Sequence, residues 1–427
     1  MTIMPKVSLI VTLVALLAGL HLGSTRLAGR AAEAARATGA LAPRFEVDPL
    51  WPKPLPNKWI LGQTIGVSVD AQDHIWIIHR AGSLEPGEVH ATTTPPTAQC
   101  CAPAPPVLEF DEAGNLIGHW GGPGAGYDWP NSNHGITVDY KGNVWIGGNG
   151  RGTPPTGRQS GQQTAAGRNQ QQDESQSGAA GYFYDNMVLK FTQDGKFIMQ
   201  IGKPAKSQGS NDVANLRLPA KTFIDKEANE VYVADGYGNH RVIVYDADTG
   251  QYKRHWGAYG HKPSDDNLGR YDPAAPPAQQ FRNPVHCADL SNDRLLYVCD
   301  RVNDRIQVFK PDGTFVKEAF LTKDTLGSGS VWDLAFSKDP QQKYLYLADG
   351  ENDKVRILLR ETLEVLTSFG EGGRQPGEFY GVHSIATDSK GNIFTTETYR
   401  GQRLQKFAYK GLAPVTSKDQ GVVWPKK

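Results

Sequence analysis

Six copies of one short pattern run along this 427-residue chain, and a repeated unit of this length permits few architectures. Each copy is an apolar segment ending in Asp or Ser, a turn, and an apolar–aromatic–apolar segment. The copies are GVSVDAQDHIWIIHR (66–80), GITVDYKGNVWIGG (135–148), KTFIDKEANEVYVADGYGNHR (221–241), VHCADLSNDRLLYVCDRVNDR (285–305), VWDLAFSKDPQQKYLYLADGENDK (331–354) and VHSIATDSKGNIFTTETYRGQR (382–403). A third apolar segment follows most of them (RVIVYD, RIQVFK, KVRILL, RLQKFA), and usually a fourth (YKRHWG, TFVKEAF, LEVLTSFG). Four short strands per unit predict a blade, and six units predict an all-β, six-bladed β-propeller. The last unit shows only three strands. FEVDPLW (45–51) is expected to supply the fourth and close the ring, because an open solenoid would expose both end edges.

DGYGNHRV (235–242), DRVNDRI (300–306) and DGENDKV (349–355) resemble the Asp…Asn…Arg/Lys…Val/Ile signature of NHL repeats. Outside the repeats, Lys6 followed by VSLIVTLVALLAGL (7–20) reads as a signal peptide over 1–23. That run falls short of the roughly 20 apolar residues that span a bilayer. The protein is therefore expected to be secreted or periplasmic, without a stable membrane span once mature. A spacer (24–44), the propeller (45–412) and a C-terminal tail (413–427) would follow. Residues 150–181, rich in Gly, Gln and Ser, are expected to form a disordered insertion, and 81–106 a second, Pro/Thr-rich loop. Lys+Arg and Asp+Glu number 45 each, which gives no support for a nucleic-acid partner. A monomer is expected. Cys287 and Cys299 lie close enough across one turn to pair, while Cys100–Cys101 is open to a ring disulfide or two thiols.

Alignment on the residue that ends each innermost strand (Asp70, Asp139, Asp225, Ser291, Ser337, Asp388) places Ile65, His134, Ala220, His286, Trp332 and His383 five positions earlier. Three histidines thus fill alternate slots of six. Around a closed ring, alternate slots converge on one axial point. Three neutral imidazoles bind Zn²⁺ and leave a fourth position open, the catalytic pattern. The second strand runs antiparallel and returns to the same face. Its end carries Arg80 in blade 1 and Arg301 in blade 4, with Tyr237 one position further in blade 3 and Tyr399 in blade 6. Arginine offers a fork for a carboxylate. A tyrosine beside a dication and two guanidiniums would have its phenolate favoured and could act as a base. The plainer readings stand beside these: an axial histidine can be pore lining, and Arg301 can pair with an acidic neighbour in its own turn. Carboxylate ligands are missing from the axial slots, which argues against a Ca²⁺-centred lactonase.

With these residues in view, the chain looks like the peptidyl-α-hydroxyglycine α-amidating lyase family over roughly residues 60–410. LGQTIGVSVD…IIHR (61–80) resembles its opening blade, and NHGITVDYKGNVW, NPVHCADL and GVHSIATDSKGNIF match its three zinc-histidine segments. ADGYGNHR (234–241) and CDRVNDRIQVF (299–309) match the segments bearing its catalytic tyrosine and a second arginine. The resemblance implies zinc on His134, His286 and His383, with Arg80, Tyr237 and Arg301 catalytic. It also implies a substrate, small or peptidic, that carries a carboxylate. C–N cleavage of an N-substituted α-hydroxyglycine would give an amide and glyoxylate. A structural Ca²⁺ on the backbone carbonyls of Val67 and Ile136 is implied as well, but the acidic ligand expected after the last histidine is Ser384. The family's blade disulfides are not reproduced, with Gly238 and Val308 at their positions, and no copper monooxygenase domain accompanies the propeller. Two other functions remain open at this level: a metal-dependent hydrolase using the same three histidines, and a non-enzymatic propeller that binds a protein or ligand.

Overall fold

In the computed structural model, residues 39–152 and 183–425 are described. The signal-peptide reading and most of the insertion lie outside them. The described residues form six four-stranded antiparallel blades around one axis, as the repeat count predicts. The innermost strands are Gln63–Val69, Asn133–Val138, Lys221–Asp225, Val285–Leu290, Asp333–Phe336 and Val382–Thr387. Blade 6 is completed by Leu41–Asp48, which pairs with Leu404–Pro414 and so joins the two ends of the propeller. The closing strand starts at Leu41, ahead of Phe45. Val423 in turn pairs with the backbone of Phe45 and Val47, so the C-terminal segment lies against the closing strand. Among the described residues no helix is long and apolar enough to cross a membrane.

The turn between first and second strands explains the recurring Asp. In blade 1 the Asp70 carboxylate accepts from the amides of Gln72 and His74 and from Trp76 Nε1 at 3.0 Å. Asp139 does the same with Lys141, Asn143 and Trp145 Nε1. Each carboxylate satisfies turn donors and anchors a fully buried indole, so turn chemistry and core packing are set by one pair of residues. Alternating apolar side chains then fill the wedge between each blade and the next. Six buried clusters occupy the six gaps, including the one between blades 6 and 1, where Trp51 packs against Phe110 and Phe394. Truncating one of these buried tryptophans to Ala would cost about 3–5 kcal/mol. Cys287 and Cys299 face each other across blade 4 and are disulfide-bonded, and the sulfurs of Cys100 and Cys101 are joined as well.

Candidate metal centre

A regular strand alternates its side chains, so aiming a histidine at the axis needs a local break. Pairing of the first strand to the second skips Ile65 in blade 1, Gly135 in blade 2, His286 in blade 4 and His383 in blade 6. These are β-bulges, which re-aim side chains next to the skipped position. Gly135 is required twice over in blade 2. Its φ is +70°, and a Cβ there would lie 2.4 Å from the Ala220 carbonyl oxygen.

The bulges bring His134, His286 and His383 together. Their ring centroids form a near-equilateral triangle with sides of 5.1, 4.8 and 4.9 Å, and their candidate ligand atoms lie within 4.8 Å of one another. All three rings are buried. His134 Nδ1 donates to the Ala220 carbonyl at 2.7 Å, and His286 Nδ1 to the Trp332 carbonyl at 2.5 Å. Each acceptor is the axial-slot residue of the following blade. The matching neighbour of His383 Nδ1 is the Ile65 carbonyl, in a looser contact that falls short of a full hydrogen bond. A proton on Nδ1 leaves Nε2 with its lone pair, the arrangement of metal-binding histidines oriented by carbonyls. Burial, reinforced by Arg80, holds His134 down to about 3; burial and the neighbouring cations hold His286 and His383 well below the usual range. The imidazoles are therefore neutral at pH 7.

Tyr237 places its hydroxyl 3.1 Å from His134 Nε2 and 3.0 Å from His286 Nε2, and that oxygen accepts from Arg301 Nη1 at 3.0 Å. One phenol proton can serve only one of the two imidazoles it touches. Neutral nitrogens that converge with too few donors suit a cation, so the donor set fits a divalent metal. Burial raises the Tyr237 pKa, with Arg301 and Arg80 pulling the other way but not prevailing. The sequence-level expectation of a favoured phenolate therefore needs the added charge of an ion.

Neither arginine that flanks this cluster makes an ion pair among the described residues, and the Asp185 carboxylate acts on Arg80 only at longer range. Arg80, half-buried, donates to the Gln63 side chain at 2.9 Å, the Asn149 side chain at 2.9 Å and the Asn133 carbonyl at 3.2 Å. Arg301 is buried, stacks over Trp332 at 4.5 Å and Tyr237 at 5.4 Å, and has no hydrogen-bond partner at Nε. Of the two acidic residues in its turn, Asp300 is engaged by Arg305 at 2.6 Å and Asp304 accepts from the Ser330 amide at 2.7 Å. That disposes of in-turn pairing as the reason for Arg301. Trp332 walls the site, 6.0 Å from the His286 ring and 5.5 Å from His383. Tyr399 is half exposed, lies against the Trp332 ring at 6.3 Å, and is near enough to act electrostatically on Arg80 and Tyr237.

Val67 and Ile136 are buried on the inner strands of blades 1 and 2. Ser384 Oγ lies 3.4 Å from the Val67 amide and donates to Asp333 at 2.6 Å. Asp333 and Asp289 both grip the Lys221 ammonium, at 2.6 and 3.1 Å. Burial works against that ammonium, yet the two carboxylates outweigh it and raise its pKa, while burial pushes Asp289 up to about 6. The positive charge among these inner-strand carboxylates is thus supplied by a side chain.

The register of the repeats groups the six principal residues, and the structure places them around one axial point, but what fixes them does not show in the repeats. Gln63 and the bulges leave no periodic signal. Asn149 stands in blade 2 at the register that Arg80 holds in blade 1, but nothing in the sequence marks it as an acceptor for Arg80. Asp185, whose carboxylate accepts from the amides of Asn131, Ser132 and Gly150 beside Asn149, was missed because it follows an insertion that interrupts the repeat.

A six-bladed propeller of NHL type with a three-histidine axial centre is the class that fold and site define. Mouse (Mus musculus) NHL repeat-containing protein 3 is 23% identical over 333 residues, 74% of this chain and 70% of that protein. The human (Homo sapiens) protein of the same name is 22% identical over 309 residues, 72% of this chain and 65% of that protein, so the match spans less than two thirds of it. No family model matches the chain. Among solved structures, a streptogramin B lyase has a TM-score of 0.44 at 12% identity, covering 87% of this chain and 98% of that one. A protein from Bacteroides thetaiotaomicron has a TM-score of 0.48 at 12% identity, covering 87% and 77%. Virginiamycin B lyase from Staphylococcus aureus has a TM-score of 0.42 at 13% identity, covering 90% and 94%.

Proposed function

We propose that this protein is a zinc-dependent lyase that cleaves the C–N bond of an N-substituted α-hydroxyglycine to an amide and glyoxylate. The observation that carries the reading is the single hydrogen-bonded set Arg301–Tyr237–His134/His286, with Arg80 nearby hydrogen-bonded only to neutral acceptors. His134, His286 and His383 would hold Zn²⁺, which when bound supplies Lewis acidity at the substrate oxygens and lowers the Tyr237 pKa. Arg80 and Arg301 bind the substrate carboxylate, whose charge neither arginine meets within the fold. Tyr237, as phenolate, takes the proton from the carbinol hydroxyl at its Oη. As the carbinol C–O bond gains double-bond character, the C–N bond breaks and its electron pair goes to nitrogen. The same proton then returns from Tyr237 to that nitrogen, so the products are the neutral amide and glyoxylate. Burial of the triad and the Trp332 wall limit water at the reacting carbon. A calcium ion on Val67 and Ile136 takes no part in this reading, given the Lys221 ammonium and Ser384 nearby.

The test is glyoxylate release from an N-acyl-α-hydroxyglycine by protein containing about one zinc per chain. Protein purified without metal, or zinc-loaded protein that releases no glyoxylate, would overturn the reading. Tyr237→Phe is expected to lower kcat by about 100-fold or more while zinc content stays the same. Retained turnover would remove the tyrosine from the proton transfer.

A further inference from the structure

We infer that Asp185 is a positioning residue for the anion clamp: it fastens the two strand ends that carry the acceptors of Arg80. The inference rests on the reading of Arg80 as a carboxylate anchor. Asp185 is fully buried just ahead of Met187–Phe191, the third strand of blade 2. One carboxylate oxygen accepts from the Asn131 amide at 2.9 Å. The other accepts from the amides of Ser132 at 3.0 Å and Gly150 at 2.7 Å. Its own amide donates to the Gly150 carbonyl at 3.1 Å, and its carbonyl accepts from Leu218 at 3.1 Å. Of the other fully buried aspartates among the described residues, Asp235, Asp300 and Asp349 each meet an arginine and Asp304 accepts from the Ser330 amide, whereas Asp185 spends both oxygens on three main-chain donors.

The clamped donors lie on both sides of blade 2. Asn131 and Ser132 lead into Asn133 and His134, and Gly150 follows Asn149. The two stretches are tied further by the Asn149 amide to the Ser132 carbonyl at 2.9 Å and by Ser132 Oγ to the Asn149 side chain at 3.1 Å. Two of the three acceptors of Arg80, the Asn133 carbonyl and the Asn149 side chain, therefore sit on the segments that Asp185 holds. The sequence makes room for it, since a Cβ at Gly148 or Gly150 would come within 2.9 or 2.5 Å of its oxygen. His134 is secured separately by Ala220 of blade 3. The clamp accordingly acts on carboxylate binding and leaves the metal in place.

Asp185→Asn puts an NH₂ where amide donors converge, so it breaks the clamp with little change of volume. With zinc-loaded enzyme, KM for an N-acyl-α-hydroxyglycine is expected to rise about tenfold, with kcat within about threefold and zinc content unchanged. Added to Arg80→Lys it should cost little more, since both changes act on one guanidinium. An unchanged KM, or kcat, zinc and Tm falling together, would overturn the inference. If D185N does not fold, Asn149→Ala must reproduce the KM rise, and an unchanged KM there has the same negative force. Should wild type release no glyoxylate, the lyase reading falls while the clamp is judged by calorimetric binding of glycolate. Binding about tenfold weaker in D185N sustains it. Equal binding, or none to wild type, refutes it.

Discussion

Two sets of buried and half-buried arginines in this propeller have opposite fates. Arg241, Arg305 and Arg356, in blades 3, 4 and 5, each meet the aspartate at the end of the preceding strand, at 2.8, 2.6 and 2.7 Å. Arg403 does the same with Glu397 in blade 6. Arg80 and Arg301 end their own strands at the opening of the axial site and meet only neutral groups. A buried guanidinium is costly unless an anion compensates it. The first set finds that anion inside the fold and so reinforces the blades. The second leaves the charge for something that arrives from outside. One residue type thus separates scaffold from site, by partner alone.

The comparison breaks most sharply at Arg305. Arg305→Ala strands the buried Asp300 and should cost about 3–5 kcal/mol of stability, read as a large drop in denaturation midpoint. Stability near wild type would show that the paired set is dispensable. Arg301→Ala is expected to do the reverse: stability within about 1 kcal/mol, but kcat/KM down about 100- to 1000-fold. A variant that unfolds instead would return Arg301 to the scaffold.

Gly135→Ala tests the step between strand geometry and metal. The strained φ and the close Ala220 carbonyl should together cost about 1–3 kcal/mol and displace the acceptor of His134 Nδ1. Zinc affinity, measured by competition with a chelator, should fall about 10- to 100-fold. Unaltered affinity would mean that the carbonyl does not orient the ring.

The smallest effect concerns pH. His134, held down to about 3, stays neutral where an ordinary imidazole takes up a proton. Metal affinity should therefore be nearly flat from pH 7 to about 5, where an unstructured His peptide loses affinity steeply below about 6.5. For the metal-free fold, the unfolded chain binds a proton on His134 between about 6.5 and 3 that the folded chain does not, and His286 and His383 act in the same direction. Their contribution to stability therefore falls as pH drops through that window. Asp185, pushed up to about 7 by burial against its three amide donors, contributes with the opposite sign between about 4 and 7. In the background of Asp185→Asn, the acid loss of stability should consequently become steeper. A slope unchanged by D185N would show that Asp185 does not titrate in that range.

The fold was legible because a propeller writes each blade into the chain as a separate copy. His134, His286 and His383 shared one register, and Arg80 and Arg301 shared another, so alignment of the repeats was enough to group them. What escaped was everything that departs from the repeat. The bulges at His286 and His383 shift pairing by one residue without altering the hydrophobic pattern. Whether Arg301 was paired depended on a competition with Arg305 for Asp300, which only three-dimensional geometry decides. Lys221 gave no sign that its charge would be shared between Asp289 and Asp333, because those partners come from other blades.

Closure through Leu41–Asp48 also sets the order of events during folding. That strand is made well before its partner Leu404–Pro414, with the rest of the propeller between them. Until then it has no neighbour, and the open flank of blade 6 offers unpaired amides and carbonyls to other chains. Blades 1 to 5 build from contacts local in sequence. The final join is the most distant in the chain, and loop-closure entropy makes it the slow one. The ring is thus sealed only after all six blades have been made, and the interval before sealing is when nascent chains are most exposed to one another.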